Sequence, residues 1–518
     1  MTPLPNTHPV LSCEEAIAFE KALFGGDAGA EWNAMRAAGL AVAEAVLEDF
    51  REIGGFPADG RVLVLCGKGR NGGDALLAAR ALLEKFPKAS ADVRFVHGQK
   101  ALRPPAARAA ELLWACRDRV QTLHGPPAGP YAVCLDGIFG HSFRGKLDEP
   151  SARAIEETRR AEISLRAAVD LPSGLDDPGA FRADFSYATG VVKKPLLYLP
   201  AAGRPRYLDL GFFRDLPKTR ALRASWKAPC RVLTTGLLAD LAAFRRPTLH
   251  KYAAGHVFVI GGSRNLPGAV LMSVRAALKS GAGLVSAFVP KSLVPAFAAR
   301  LPEAMWIGWP ELPDGSLSPE GFPRLRERLP AANALVIGPG MGRDPETLTL
   351  ARDIIASSPV PLVIDADALQ STTVHAGRAP RILTPHTGEF ARLAQGMSFE
   401  KFAEQTGGFI TTVLKGPVTR VAANDAVYHN FSGGPVLARA GSGDLLAGLV
   451  GGLLAQCPAE PLSAAVRGVL WHGLAADALA RERGQTAVMA TELLEFLPAI
   501  LRRHNLRNHE AAARQKQG

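Results

Sequence analysis

The chain has 518 residues, more than one ordinary domain, and its 47% hydrophobic and 21% charged residues exclude a disordered or fibrous protein and allow a sizeable core. A net charge of +11 favours acidic partners without choosing among nucleotides, nucleic acid and anionic membranes. The six cysteines (Cys13, Cys66, Cys116, Cys134, Cys230, Cys457) form no C-x-x-C pair, as expected of reduced thiols in a cytoplasmic protein, and neither an export signal in "MTPLPNTHPVLSCEEAIAFE" nor an apolar run of about 18 residues is present.

From Arg61 the chain alternates short β-branched runs with helical patterns: "RVLVLC", "DALLAARALLEKF", "ADVRFVHG", a helix near "AARAAELLWACRD", then strands at "YAVCLDGIFG" and "ISLRAAVDLPSG". Such alternation predicts an α/β fold with a doubly wound parallel sheet covered on both faces. Between residues 216 and 248 a Pro-, Arg- and Lys-rich stretch reads as a linker, with a short helix before "FRRPTLHK". A second α/β series follows through "HVFVIGG", "GAVLMSVRAALKSGA", "ANALVIGPG", "PLVIDADALQ", "RILTPHTGEFARLA" and "FITTVLKG", and ends in helices after Asp444. Within it "TRVAANDAVYHN" predicts a hairpin turning at Asn424-Asp425. The expected domains are therefore 1–215 and 249–505, followed at 506–518 by a basic tail read as a solvated segment, so nucleic-acid binding is not expected.

In the first half, "VLVLCGKGRNGGDALLAAR" sets a Gly-rich turn between a buried strand and a helix, where open parallel sheets bind ligands; it is neither G-x-G-x-x-G nor a P-loop, and a plain tight turn fits the glycines equally well. Asp136 and Asp170 lie at predicted strand ends, so Asp74, Asp136 and Asp170 are expected along one sheet edge, although each alone suits a cap or a turn. The ordered blocks "AMRAAG", "CGKGRNGGD", "LDGIFGHSFRG", "VDLPSGLD" and "ADFSYATGVVKK" make residues 11–213 resemble the NAD(P)H-hydrate epimerase family, the YjeF N-terminal domain, of Rossmann-like fold. The resemblance implies that Asn71, Asp136 and Ser173 ligate a potassium ion, and that Asp74, Gly140, His141, Ser142, Phe143, Arg144, Gly145, Lys146 and Asp170 hold the hydrated nucleotide. The family reaction inverts a hydroxyl-bearing carbon, and Asp170 is the candidate acid/base. Arg70 stands where the family usually has the first Asn of N-N-G-G-D, and is read as a partner for a ligand phosphate; Arg144 stands where some members place Lys.

In the second half, "RAGSGDLLAG" invites an anion at a helix start, yet Asp444 brings a carboxylate to the same place. Two readings stand equally from this decapeptide: a base beside an anion-binding turn, or a residue that only caps the helix. The blocks "HKYAAGHVFVIGGS", "PGAVLMSVRAALKSGAGLV", "LPEAM", "VIGPGMG", "VIDADAL", "LTPHTGEFARL" and "VLKGPVTRV", with the decapeptide, make residues 249–501 resemble the ADP-dependent NAD(P)H-hydrate dehydratase of the ribokinase-like superfamily. By that resemblance Ala269, Gly340, His386 and Asp444 contact the hydrated substrate, while Lys415, Gly416, Pro417, Val418, Thr419 and Gly443 contact the adenine nucleotide. Asp444 is then the catalytic base, whereas by themselves His386 reads as a helix cap, Lys415 as a surface residue ending a strand, and Asp365 and Asp367 as strand-end caps. Tyr252, Gln370 and Ser442 replace the usual Gly, Asn and Thr of the family pattern.

Together the two resemblances imply a bifunctional enzyme that epimerises hydrated NADH or NADPH and dehydrates the S form with ADP or ATP, leaving AMP and phosphate when ADP is used. Potassium is the implied cofactor of the first half and magnesium with the nucleotide that of the second. The expected partners are the hydrates, ADP or ATP and further copies of the chain in a homo-oligomer, with no membrane. The rival expectation is a ribokinase-like small-molecule kinase whose N-terminal half only binds a nucleotide or RNA.

Overall fold

A computed structural model describes residues 4–141, 143, 145–214, 219–220, 222, 226 and 229–503. Ser142, Arg144 and the segment read as a basic tail lie outside the described residues. The chain separates into one unit of residues 8–232 with 480–485, and a second that includes residues 233–479.

The first unit is built on a seven-stranded parallel sheet in the order Val120–Thr122, Ser90–Phe95, Arg61–Cys66, Tyr131–Gly137, Ile163–Val169, Phe185–Thr189, Arg204–Leu208. Its central strands are almost wholly apolar because helices cover both faces. Helix Arg70–Lys85 buries Leu76, Ala79, Leu82 and Leu83 on the sheet, and helix Ala28–Phe50 crosses it at Gly39, where a Cβ would lie 2.5 Å from that of Leu77. Chain order reverses between Arg61–Cys66 and Tyr131–Gly137, so a crevice opens at their carboxyl ends, the place where such sheets bind ligands. The last two strands of the sheet were not expected. Arg204–Leu208 carries Pro205 at the sheet edge, where a missing N–H is tolerated, and its buried Arg206 is neutralised by Asp49 at 2.9 Å.

The second unit has its own sheet, in the order Met305–Trp309, Leu284–Pro290, His256–Ile260, Ala334–Ile337, Leu362–Ile364, Arg381–Leu383, Ile410–Leu414, all parallel, with the antiparallel pair Thr419–Ala423 and Ala426–Asn430 at its side. The hairpin turns where the sequence places it, with Asn424 at φ +57°. Chain order reverses between His256–Ile260 and Ala334–Ile337. Part of the expected linker is structured, with strand Cys230–Leu233 and the short helix Ala239–Ala242.

Helix Ser442–Gln456 is apolar on nearly every side because it lies against both the sheet and helix Pro267–Lys279. The two helices touch at Gly448, where a Cβ would run into the carbonyl of Ser273. Gly448→Ala is expected to cost about 3 kcal/mol by overpacking, read as a fall in the melting temperature of the second unit.

Candidate active sites

The first site lies at the carboxyl ends of the central strands of the first unit. Gly67 has no room for a Cβ against Ile138, so the turn before helix Arg70–Lys85 closes onto the turn after Tyr131–Gly137. Asn71 then donates from Nδ2 to the carbonyl of Phe139 at 2.8 Å. Ser173 Oγ donates to Asp136 Oδ1 at 2.6 Å and accepts the Phe139 amide at 2.9 Å, and its own amide meets Asp136 Oδ2 at 2.8 Å. The three residues expected to hold potassium are thus drawn together.

Asp136 is fully buried, and burial pushes its carboxyl up to about 6 despite the bonds from Ser173 and Ile138. All the side-chain donors here are hard oxygens, and a cation beside this buried carboxylate would relieve the cost of burying its charge. The donor set therefore fits a potassium ion.

Asp170 sits at φ +67°, a left-handed conformation that few non-glycine residues adopt. Its Oδ1 is paired with the buried Lys193 ammonium, and its Oδ2 with His141 Nδ1 at 3.2 Å. Burial opposes the charge, but Lys193 and His141 overcome it and hold the carboxyl at about 2, so it is ionised at neutral pH. Asp74 behaves oppositely: its Oδ1 is shut from solvent with no hydrogen-bond partner, and burial, with Asp170 and Glu20 as like charges, raises it well above the usual carboxylate range. Two carboxyls in one crevice are driven apart, one towards the proton and one away from it.

A Cβ at Gly140 would lie 3.4 Å from both Asn71 Oδ1 and Asp170 Oδ2, which ties the Gly140 segment to these groups; Phe143 stacks on Phe139, while Gly145 and Lys146 are exposed. Arg70 pairs with Glu31 at 2.7 Å and lies 3.8 Å from Glu20, while its side chain stays 52% exposed. Sequence reasoning passed over Lys193 and Glu20. A lysine closing the run "TGVV" at a strand end was the signal for the first, because a buried ammonium requires a carboxylate.

The second site gathers around the start of helix Ser442–Gln456. Gly441 is the N-cap at φ +92° and offers no side chain; Ser442 Oγ donates instead to the Leu437 carbonyl at 2.7 Å. Asp444 lies in the first turn of this helix. Neither side chain caps the helix from the N-cap position; the Ser442 amide donates to the Arg439 carbonyl at 3.3 Å, and the next amide, that of Gly443, is the one placed to meet an anion.

Lys415 leaves the strand Ile410–Leu414 with its amide bonded to the Pro385 carbonyl at 2.9 Å, which sets it beside His386. Its Nζ lies 3.0 Å from where Gly443 would carry a Cβ, and 3.0 Å from Asp365 Oδ1. It is therefore no loose surface residue. The pull of Asp365, Glu389 and Asp444 outweighs burial and raises its pKa.

Asp444 has the opposite shift from Asp170. Burial, then the nearby Asp365, push its carboxyl up to about 7 against the pull of Lys415, which leaves it able to accept a proton at neutral pH. Ala269, in the first turn of helix Pro267–Lys279, lies 3.0 Å from the Cβ position of Gly340, and Met272 one turn later packs on Gly441. Gly416, Pro417 and Val418 form the turn leading into the strand that begins at Thr419. His386 does cap its helix, through Nδ1 to the amides of Gly388 and Glu389, and its ring stays more than half exposed beside the same turn.

Asp365 and Asp367 cap nothing. Asp365 accepts from Thr384 Oγ1 at 2.7 Å as well as from Lys415; Asp367 accepts from the Gly342 amide and Arg343. His472 is buried beneath the turn with its Nε2 unpartnered, and burial lowers it to about 4, against the pull of the Ser442 carbonyl, so that it is neutral.

Two α/β units, each with an acid-rich crevice at the carboxyl ends of its strands, define a two-domain enzyme: residues 257–499 match the family model described as NAD(P)H-hydrate dehydratase, and residues 33–194 the model of the YjeF-related protein N-terminus. The chain is 36% identical to the bifunctional NAD(P)H-hydrate repair enzyme Nnr of Moorella thermoacetica, over 90% of this chain and 92% of the relative. It is 31% identical to the Escherichia coli protein of the same name, covering 86% of each. A solved ADP/ATP-dependent NAD(P)H-hydrate dehydratase from Bacillus subtilis, co-crystallized with ATP/Mg2+, is 28% identical over 52% of this chain and 97% of that one, with a TM-score of 0.45. The chain belongs to the family of bifunctional NAD(P)H-hydrate repair enzymes.

Proposed function

We propose that the chain repairs hydrated NAD(P)H in two steps, with residues 1–215 as the epimerase and 249–505 as the dehydratase. The observation that carries the second step is the half-buried Asp444 carboxylate in the first turn of a helix with Lys415 beside it.

In the dehydratase, Asp444 takes the proton of the ring hydroxyl as its oxygen attacks the terminal phosphorus of ADP or ATP. The Gly443 amide at the helix start and the Lys415 ammonium hold the negative phosphoryl oxygens. The phosphate ester then leaves with a proton from the neighbouring ring carbon, which restores the dihydronicotinamide double bond. With ADP the products are NAD(P)H, AMP and phosphate. Magnesium bound with the nucleotide would neutralise its phosphates.

In the epimerase, the carbon to be inverted carries both the hydroxyl and the ring nitrogen. Asp170 takes the hydroxyl proton and passes it to His141 Nδ1 at 3.2 Å as the carbon–nitrogen bond opens to an aldehyde, while Asp74, raised towards its protonated form, supplies a proton to the nitrogen; closure on the other face of the carbonyl reverses these transfers. Asn71, Asp136 and Ser173 would hold potassium, whose charge would offset that of the buried Asp136 carboxylate. Ser173→Ala is expected to weaken the potassium dependence of epimerisation at least tenfold, measured by titrating KCl against rate.

The test is the near-ultraviolet absorbance of the protein with mixed epimers of hydrated NADPH, ADP, magnesium and potassium, at a protein level where spontaneous epimerisation is negligible. Full recovery of the chromophore supports both steps. Arrest after one epimer is consumed leaves only the dehydratase, and no recovery would favour a small-molecule kinase.

A further inference from the structure

The turn after strand Leu362–Ile364 is fixed far more tightly than a strand end requires. The Asp365 amide donates to the Ile337 carbonyl at 3.0 Å, its own carbonyl fills the space a Cβ at Gly338 would need, and Ala366 follows at φ +49°. The backbone therefore aims one side chain, and nearly all of that side chain is buried, with 2% exposed. Its Oδ1 takes both Thr384 Oγ1 and Lys415 Nζ, and that same Nζ is the group set against Gly443.

We infer that Asp365 is the positioning residue of the dehydratase centre: it anchors the Lys415 ammonium at the phosphoryl side of the Gly441–Gly443 turn and so keeps this cation from closing onto Asp444. This rests on the reading of Asp444 as the base. Carboxylates compete for one half-buried cation. Three carboxylates draw Lys415, namely Asp365, Glu389 and Asp444. Glu389 is engaged with the His386 amide at 2.8 Å, so Asp365 and Asp444 are the main rivals.

If Lys415 settled on Asp444, the carboxylate would stay ionised but lose its appetite for the hydroxyl proton, and the phosphoryl oxygens would lose a cation. Asp365 prevents both with one bond. The remaining charged or titratable neighbours do not replace it: Asp367 is committed to Gly342 and Arg343, His472 is neutral under Ser442, and the His386 Nδ1 is occupied by its own helix start.

The experiment compares the full chain with Asp365→Asn, Lys415→Gln and the double variant, following dehydration of the S hydrate with magnesium ADP between about pH 5.5 and 9, alongside thermal melting. Asp365→Asn is expected to lower kcat about 100-fold, comparable to loss of one preorganised donor to a transition-state anion, with KM for ADP changed less than about threefold. The acid limb of kcat should move down by about one pH unit, because a negative neighbour of Asp444 is gone and Lys415 has come closer. Because Asp365 acts through Lys415, the double variant should lose no more than Lys415→Gln alone.

An unchanged kcat, an equal loss at every pH with the limb unmoved, or additive losses in the double variant would each overturn the inference. Should Asp365→Asn fail to fold, Thr384→Val takes its place, since it keeps the charge and removes only the second anchor. About a tenfold loss of kcat with the limb displaced in the same direction is expected, and wild-type behaviour of that variant also overturns the inference. A wild-type chain that cannot restore the chromophore would instead strike the parent reading.

Discussion

Asp444→Asn is expected to abolish recovery of the nicotinamide chromophore, with a loss in kcat of at least about a thousandfold, while leaving epimerisation at its wild-type rate. Asn keeps the shape and removes the only base set in the open turn of helix Ser442–Gln456. The wild-type rate should fall as pH drops through about 7, where the carboxylate takes up its proton, and the variant should show no such limb. Stability supplies the control. A carboxyl whose folded value lies above its unfolded one binds protons more readily in the folded chain, so the wild type loses stability as pH rises from the ordinary carboxylate range through about 7. Asn carries no such buried charge, so the variant should melt no lower than the wild type at pH 8. A variant that melts lower at that pH, or retains more than about a tenth of the rate, contradicts the assignment of Asp444 as base.

The alternation of strands and helices was legible because each central strand is buried on both faces and each covering helix on one, so periodicity alone separates them. The hairpin at Asn424 was legible for a local reason, the positive φ its turn demands. Strand Arg204–Leu208 was hidden because its sequence, Arg-Pro-Arg-Tyr-Leu, becomes a strand only after Asp49 and Glu52, distant in the chain, neutralise its arginines. The candidate sites divide along the same line. Asp444 announced itself through the turn it follows, and the grouping of Asn71, Asp136 and Ser173 came from ordered motifs. The pairings Lys193 with Asp170 and Lys415 with Asp365 could not be read, since each joins side chains at two strand ends that only the folded chain brings together. Asp365 was taken for a cap because a strand-end aspartate usually is one; its oxygen was claimed instead by a lysine fifty residues later.

Asp170→Asn should do the reverse of Asp444→Asn, with epimerisation falling about 100-fold to 10,000-fold, the span expected when an acid/base group is removed, and dehydration of the S form unchanged. Asn is the appropriate replacement because it tolerates the left-handed backbone at φ +67°, whereas a β-branched residue would add strain unrelated to catalysis. The substitution also strands the Lys193 ammonium, buried and 1% exposed, without its carboxylate. Breaking such a pair from one side costs about 3–5 kcal/mol, so a lower melting temperature of the first unit is expected and would by itself confuse the result. The double variant Asp170→Asn, Lys193→Met separates the two effects: it removes the stranded charge and should recover most of the lost stability without recovering the rate. If the double variant epimerised near the wild-type rate, Asp170 would be a structural counter-ion, and the proton would have to travel through Asp74, whose unpartnered and shielded Oδ1 faces the same group of charges.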